Sequence, residues 1–500
     1  MKRQKRSKPV VSTAIAPTVR PRATTPAYNS TGTGRATMGW DPGSDAINTL
    51  VAGGGDTLRR QSRDLVRRNP WAVNAIETYV SNSIGSGIVP NPRHPDPAIR
   101  AILQKAWLRW TDEADASGLT DFYGLESLAC RSTIESGECI ARLRARRPED
   151  KLSVPLQIQL LEPEHLPLTK NEDLPNGRKI RWGIEFDPIG RRQAYHLYRE
   201  HPGEKAFFYN LGDISRVPAA EVAHLYKPLR PGQHRGQPWL APVILALHEI
   251  EKYDRAELVR KGLAAMIAFF ERDIDGAATQ LLAEGGDTDA SGVPLQGVEP
   301  GSYMRLPLGK SVDVSAPGEV GGTYVEFLRM QLRKVAVGIG ITFDQLTGDM
   351  TQVTYSSARI ALLEFRRRCE AFQHQVMVFQ FCRPIWRAFI EAAALSGVIS
   401  ADDYLRRPEP YLDVEWTPPA WDWVDPLKDI TAEILAIDNL LKSRTQSIKG
   451  SGFDRQDVDA EIAAEQADEQ RLGLKRKQIA TAKQQPPPQG APNGNAKVAE

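Results

Sequence analysis

Residues 222–258 read VAHLYKPLRPGQHRGQPWLAPVILALHEIEKYDRAEL, a turn that feeds a long helix. Its segment 230–236, RPGQHRG, has the proline and glycines of a turn, with Gly232 and Gly236 read as points of close backbone approach. Residues 241–272 then predict one helix. Ala256, Val259, Leu263, Met266 and Phe270 step by 3, 4, 3 and 4, a narrow packing seam. Thirty residues of helix span roughly 45 Å. The same helix mixes Glu249, Glu251, Asp254, Glu257 and Glu271 with Lys252, Arg255, Arg260, Lys261 and Arg272. On a lone helix such charges would simply be solvated.

Downstream, residues 273–322 change character. They are rich in Gly, Pro, Ser and Asp, with eight acids against Arg305 and Lys310. A helix is predicted again over 323–338, followed by a polar loop, ITFDQLTGDMTQVTY, at 341–355. The longest helix is expected over 356–395. Its apolar seam runs Leu362, Phe365, Cys369, Phe372, Val376, Phe379, Cys382, Trp386, Phe389 and Ala393, and slips phase just before Pro384, where a kink is expected. Residues 408–426 read as extended, and Trp416, Trp421 and Trp423 as packing between modules. Helices over 427–442 and 454–470 follow, the last with Asp454 as N-cap.

Upstream, helices are predicted over 56–84 (interrupted or restarted at Pro70), 96–113 and 121–136. Alternating runs at Cys139–Leu143, Leu156–Leu161, Lys179–Glu185 and Arg192–Tyr198 predict strands, making 45–235 an α+β region. Residues 1–35 carry eight basic residues and no acid, and the stretch from Lys475 is rich in Gln, Pro, Gly and Asn; both read as disordered tails.

Composition sets the bounds. Lys+Arg 64 against Asp+Glu 62 excludes a chain that is basic throughout, such as a DNA compactor. No apolar run approaches the ~20 residues that cross a bilayer, so no membrane partner is expected, and cytosolic synthesis is. The four cysteines, 130, 139, 369 and 382, form no C-x-x-C pair and read as buried thiols.

Reactive motifs fail on inspection. Leu308-Gly309-Lys310-Ser311 ends like a phosphate loop, but Met304 stands where its first glycine belongs. His248-Glu249 opens a zinc-protease pattern whose second ligand position holds Lys252. Asp287, Asp289, Ser291 and Gly292 resemble a calcium loop, but Val298 replaces its bidentate Glu. No cofactor, metal or catalytic residue is expected. Arg366, Arg367 and Arg368 read as a solvated or intersubunit-paired face.

Four collinear blocks carry a family resemblance: 107–143 (WLRWTDEADASGLTDFYGLESLACRSTIESGECIARL), 222–258 as quoted, 338–368 (GIGITFDQLTGDMTQVTYSSARIALLEFRRR) and 424–441 (VDPLKDITAEILAIDNLL). Together they resemble phage portal proteins of the lambda family. The resemblance implies a predominantly helical α+β portal-like fold with wing, stem, clip and crown modules, and a ring of typically twelve copies. In that frame 1–44 is a disordered basic arm, 45–240 the wing, 241–272 and 323–340 the stem helices and 273–322 the acidic clip. Residues 341–355 are the tunnel loop, 356–426 the kinked helix and wing–crown connection, 427–470 the crown and 471–500 a disordered tail.

The implied function is a non-enzymatic conduit for double-stranded DNA at a capsid vertex. The implied partners are the terminase large subunit, a major capsid or scaffold protein and a head-completion or adaptor protein. The candidate tunnel-loop residues are Asp344, Thr347, Asp349, Met350, Thr351, Gln352, Thr354 and Tyr355. A channel dense in Lys and Arg would brake its cargo through counterion release, and this loop carries none. Asp287, Asp289 and Glu299 are the candidate terminase-docking residues, and Glu249, Lys252, Arg255, Glu257, Arg260 and Lys261 the candidate intersubunit ones. A closed ring needs two different complementary faces per subunit. The rival readings are a packaging motor or nuclease, against which the broken phosphate loop argues, and a head–tail adaptor or scaffold.

Overall fold

A computed structural model describes residues 43–204, 213–265, 268–273, 310–315, 323–351, 353–421, 425–453 and 455–474. Both predicted tails, apart from residues 43, 44 and 471–474, lie outside the described residues. The fold is α+β and mostly helical, as expected. Helices Ile47–Arg68 and Pro70–Ser83 meet at Asn69, whose side-chain oxygen accepts from the N–H groups of Trp71 and Ala72. Pro70 takes the first helical position, where its missing N–H would have had no partner anyway, so the proline restarts the helix. Helices Pro97–Thr111 and Phe122–Ser136 are capped by Asp96 and Asp121.

Strands Leu156–Leu161, Glu138–Ala145 and Val222–Tyr226 form an antiparallel sheet in that order. Five further strands, Glu172–Asp173, Lys179–Arg181, Ile184–Phe186, Arg192–Tyr198 and Ile214–Pro218, form an antiparallel meander. The stretch expected as one strand over Lys179–Glu185 is a hairpin. Trp182 and Gly183 both have positive φ, 51° and 80°, the two-residue turn whose twist matches its strands. The first sheet divides two cores. Cys139, Ala141 and Leu143 face the main helical core, while Ile140 joins Ile184, Phe186, Tyr195 and Leu197 under the meander.

At the start of its central strand sits Glu138, fully buried. Arg235 donates to its carboxylate from Nε at 2.9 Å and Nη2 at 2.6 Å, and to the carbonyls of Leu166 and Trp182 from Nη1. His224 Nε2 lies 3.0 Å away, and the Gly236 N–H donates at 2.9 Å. A Cβ on Gly236 would lie 2.0 Å from the Gly137 carbonyl oxygen, so this glycine serves close approach as expected. Gly232 does not; its Cβ position is open, and its φ of 77° is what requires glycine.

The predicted helix 241–272 is shorter. It spans Ile244–Ala265, and Ala268–Asp273 is a strand paired antiparallel with Lys310–Ser315. The seam's Met266 lies outside the described residues, and Phe270 belongs to the strand. The Ala-Phe-Phe run suits a strand as well as a helix, and pairing with Lys-Ser-Val-Asp-Val-Ser satisfies its backbone. Lys310 and Ser311 therefore sit on a strand, far from a phosphate-loop geometry.

The longest helix runs as Tyr355–Phe372, a π-helical stretch Gln373–Cys382, and Arg383–Leu395. The phase slip is real, but the wider turn takes it up. Phe379, expected in the seam, is 61% exposed, and Phe381 is buried in its place. Backbone angles at Cys382 and Arg383 stay helical into Pro384. Past it, Trp386 and Phe389 pack with Trp107, Trp110 and Phe122. Within 408–426, Glu409–Leu412 is a short helix and Val414–Thr417 pairs with Val89–Pro92. Trp416 packs beside Trp107 and Trp386, and Arg366 lies over Trp421; Trp423 and Asp454 lie outside the described residues. Helices Pro426–Asp438, Arg444–Gly450 and Arg455–Leu472 end the fold.

Two pH dependences follow from the buried groups. Burial pushes the Glu138 carboxyl up, but the Arg235 charge and the His224 hydrogen bond more than reverse this, leaving it well below the usual range. Burial holds His224 down to about 4, outweighing the hydrogen bond and charge of Glu138, and the Arg192 and Arg235 charges add to the lowering. His165, His196 and His234 are also lowered, chiefly by burial. The unfolded chain binds protons on these rings near pH ~6.5 and the folded chain resists, so stability falls as pH drops from there towards about 4. Denaturant midpoints should decline across that window. His224→Gln should flatten the decline; an identical slope would remove His224 from the account.

Glu126 works the other way. Fully buried, it accepts from the Ile88 N–H at 2.8 Å and the Cys382 thiol at 3.3 Å, and burial pushes it up to about 8. With a folded value above the unfolded one, its contribution is fully present below about pH 4.5 and is lost as pH rises through about 8. Melting temperatures should fall on that alkaline side for the native chain and less for Glu126→Gln.

Candidate functional site

Helix Ile244–Ala265 packs beside helix Thr323–Ile339. Tyr253 stacks on Tyr324 with ring centroids 5.7 Å apart, and the Tyr324 hydroxyl donates to Asp254 at 2.8 Å. Burial, then Asp254, pushes that hydroxyl up to about 12. Lys261 sits over the same ring. Lys252 pairs with Glu249, Arg255 with Glu251 and Arg260 with Glu257, so within one chain these charges pair along their own helix. Hydrogen bonds from Lys252 and Arg260 hold the Glu249 and Glu257 carboxyls below their ordinary values. The single chain leaves Leu258, Val259, Val325, Met330 and Val337 exposed.

The second of these helices ends at Gly340, φ 95°, where the Gly340 and Ile341 N–H groups both return to the Ala336 carbonyl. The Tyr79 hydroxyl donates to the Gly340 carbonyl at 3.0 Å, fixing the point where the loop begins. The loop expected over 341–355 is partly helical. Phe343–Thr347 forms one short helix, with Thr342 and Gln345 as a reciprocal capping box. Asn74 Nδ2 donates to the carbonyls of Gln345 and Leu346, and Leu346 is buried. Gly348, at φ 70°, ends the turn.

Most polar groups in the loop serve its own architecture. The Thr347 hydroxyl donates to the Phe343 carbonyl and accepts from the Asp349 N–H. Asp349 accepts from the hydroxyl and N–H of Thr351, then pairs with Arg329 at 2.9 Å; these contacts, in that order, hold its carboxyl below the usual range. Thr354 caps the long helix, of which Tyr355 is the first residue. Asp344 lies in the first turn of the short helix, half-buried. The exposed tip carries Met350, 68% exposed, and Thr351; Gln352 lies outside the described residues. So do Asp287, Asp289 and Glu299.

Elsewhere, all four cysteines are buried and free, as expected. Of the three consecutive arginines, Arg367 pairs with Glu364 and Arg366 covers Trp421. The fold brings His201 to Glu162 and Glu164, a grouping no local spacing announced. Arg63 already lies 2.9 Å from Glu164 and 3.3 Å from Glu162, so the cluster is an ion-pair network. Among the described residues no helix is long and apolar enough to cross a membrane. Sequence reading missed Asn74, Tyr79 and Arg329, the residues that hold the loop. Each lies far along the chain from what it anchors and has no local signature.

The description "Phage portal protein, lambda family" matches residues 33–373. Among curated proteins the chain is 26% identical over 456 residues to the "Probable portal protein" of Halomonas phage phiHAP-1, covering 89% of this chain and 86% of that one. It is 22% identical to the "Portal protein" of Escherichia phage N15 and 21% to "Portal protein B" of Escherichia phage lambda, each with 89% of this chain and 90% of the other covered. Among solved structures it aligns with a chain in the neck of a native gene transfer agent (GTA) particle computed with C12 symmetry, at TM-score 0.45 and 14% identity over 79% of this chain and 94% of that one. It aligns with an HK97 family phage portal protein from Corynebacterium diphtheriae at TM-score 0.27 and 13% identity, covering 64% and 86%. With the family match spanning the helices Ile244–Ala265 and Thr323–Ile339 and the loop that leads into the long helix, this chain belongs to the lambda family of phage portal proteins.

Proposed function

We propose that copies of this chain close into a ring, twelve being the number the family implies, at one vertex of a capsid, and that double-stranded DNA passes along the axis during packaging and ejection. The observation that carries this reading is the family match across residues 33–373. Two structural features support it. Apolar side chains on the two stem helices, Leu258, Val259, Val325 and Met330 among them, are exposed among the described residues of one chain and would find cover in a neighbour. The loop at 341–355 combines a clamped base with an exposed Met350–Thr351 tip, and its acid Asp349 is neutralised by Arg329. Such a tip would touch a duplex without the dense positive charge that would hold it.

In this reading residues 45–240 are the wing, the two helices the stem, 273–322 the clip, 341–355 the tunnel loop and 427–470 the crown. The clip, with Asp287, Asp289 and Glu299, receives the terminase large subunit and later a head-completion protein. A capsid or scaffold protein meets the outer wing. The chain assembles in the host cytoplasm and ends in the virion.

Class-averaged electron micrographs of the purified chain should reveal rings with an axial hole as wide as a duplex; a monomer that never assembles would sink the proposal. Met350→Asp, at the exposed tip, should leave rings intact and impair DNA packaging or retention. Normal packaging by that variant would move the DNA contact elsewhere.

A further inference from the structure

The sheet strand Glu138–Ala145 and its continuation carry Arg142, Arg144 and Arg146 at alternate positions, hence on one face. This is the face that begins with Ile140 buried under the meander, and the arginines lie where that cover ends. The pairing continues past the strand, with the Arg146 N–H donating to the Pro155 carbonyl. Across the sheet, Arg142 lies opposite Gln159, and Arg144 opposite Gln157. Arg144 Nε donates to Gln159 Oε1 at 3.0 Å and Arg146 Nε to Gln157 Oε1 at 2.8 Å. The neighbours that orient these guanidinium groups are therefore neutral amides.

Among the described residues none of the three arginines makes an ion pair within 4.0 Å. Arg142 Nε is buried and has no hydrogen-bond partner. Burial, and then the Arg142 and Arg146 charges, lower the affinity of Arg144 for its proton. Three like charges held in register without a counter-charge are costly, and bound anions would relieve the repulsion.

We propose that Arg142, Arg144 and Arg146 form a ladder that binds the phosphodiester backbone of nucleic acid, at a site on the wing sheet separate from the tunnel loop. Three features favour phosphates over the carboxylates of a protein. Two residues of strand advance about 6.8 Å. Consecutive phosphates on one DNA strand are separated by more than their axial rise of about 3.4 Å because the backbone also winds around the axis, so adjacent rungs can meet adjacent phosphates. The ladder's cross-strand neighbours are Gln157 and Gln159, so it lacks the apolar centre a protein interface would need. The guanidinium forks keep their terminal nitrogens for a bidentate acceptor while Nε is held by the amides of Gln159 and Gln157. The contact needs no ring and no base reading.

The test is fluorescence anisotropy of a labelled short duplex of arbitrary sequence with the full-length chain, titrated in salt. Two variants are compared with the native chain: Arg142→Gln/Arg144→Gln/Arg146→Gln, and Gln157→Glu/Gln159→Glu, which keeps the arginines and supplies carboxylates beside them. The basic N-terminal segment contributes equally to all three. Each lost phosphate contact should lower the slope of log affinity against log salt by about 0.9, so roughly two to three for the triple variant. The Gln→Glu variant should fall in the same direction while keeping the native melting temperature. Native slopes in both variants would overturn the ladder. So would unchanged duplex binding with loss of binding to a polyglutamate peptide, which would make the face a protein-docking surface. Ring images of the same samples are a separate readout: a slope change in a chain that never forms rings would retain the ladder and defeat the ring.

Discussion

Glu138 is a carboxylate removed from water at the point where the first sheet, the meander and the turn into the helix Ile244–Ala265 converge. An unpaired charge there would be untenable. Arg235 makes it tenable by meeting the carboxylate with two nitrogens and placing its third against backbone carbonyls of the meander side. Removing one partner of such a buried pair costs about 3–5 kcal/mol. That is a large share of the ~5–15 kcal/mol by which a folded domain is stable. The pair also has a directional consequence. Glu138 opens the central strand of the first sheet, and Arg235 lies nine residues before the helix that begins at Ile244. Locking one to the other sets the angle at which that helix leaves the sheet.

The loop inherits this rigidity. Gly340, just before it, hangs from Tyr79 and its short helix from Asn74, both on the helix Pro70–Ser83 whose packing defines the main core. The far end is fixed by the cap at Thr354. What is left free of these anchors is a short tip at Met350 and Thr351. The polar side chains on either side are engaged in bonds that shape the turn, so a change at Asp349 or Thr351 would alter the loop's conformation before it altered its surface chemistry.

Much of this was legible in the sequence, for definable reasons. Leu156–Leu161 and Arg192–Tyr198 were readable to the residue because their periodicity is bounded by turns. Pro70 after Asn69 announced a restart by residue type alone. Three kinds of feature were not legible. The strand Ala268–Asp273 continues an apolar seam compatible with either period, and only its distant partner Lys310–Ser315, with Lys310 opposite Asp273 and Val314 opposite Phe269, decides the matter. The strands Val89–Pro92 and Val414–Thr417 are four residues each and exist because they found one another. The capping box at Thr342 and Gln345 was present as letters, but a five-residue helix gives too little periodicity to see. Of the candidate site, the exposed tip could be anticipated from composition; its anchors could not, because Asn74 to Gln345 is a contact across 271 residues.

The π-helical stretch Gln373–Cys382 has a geometric corollary for everything that follows it in the chain. One additional residue in a helical turn rotates everything beyond it by about 100°. Here that rotation turns Trp386 and Phe389 toward Trp107 and Phe389 also toward Trp110, while in Tyr355–Phe372 Phe365 packs on Tyr79 and Cys369 is buried. One continuous rod thus presents two differently aimed apolar edges to two groups of partners. The offset works like a crankshaft, fixing the azimuth of everything attached past Leu395 relative to the loop at the other end.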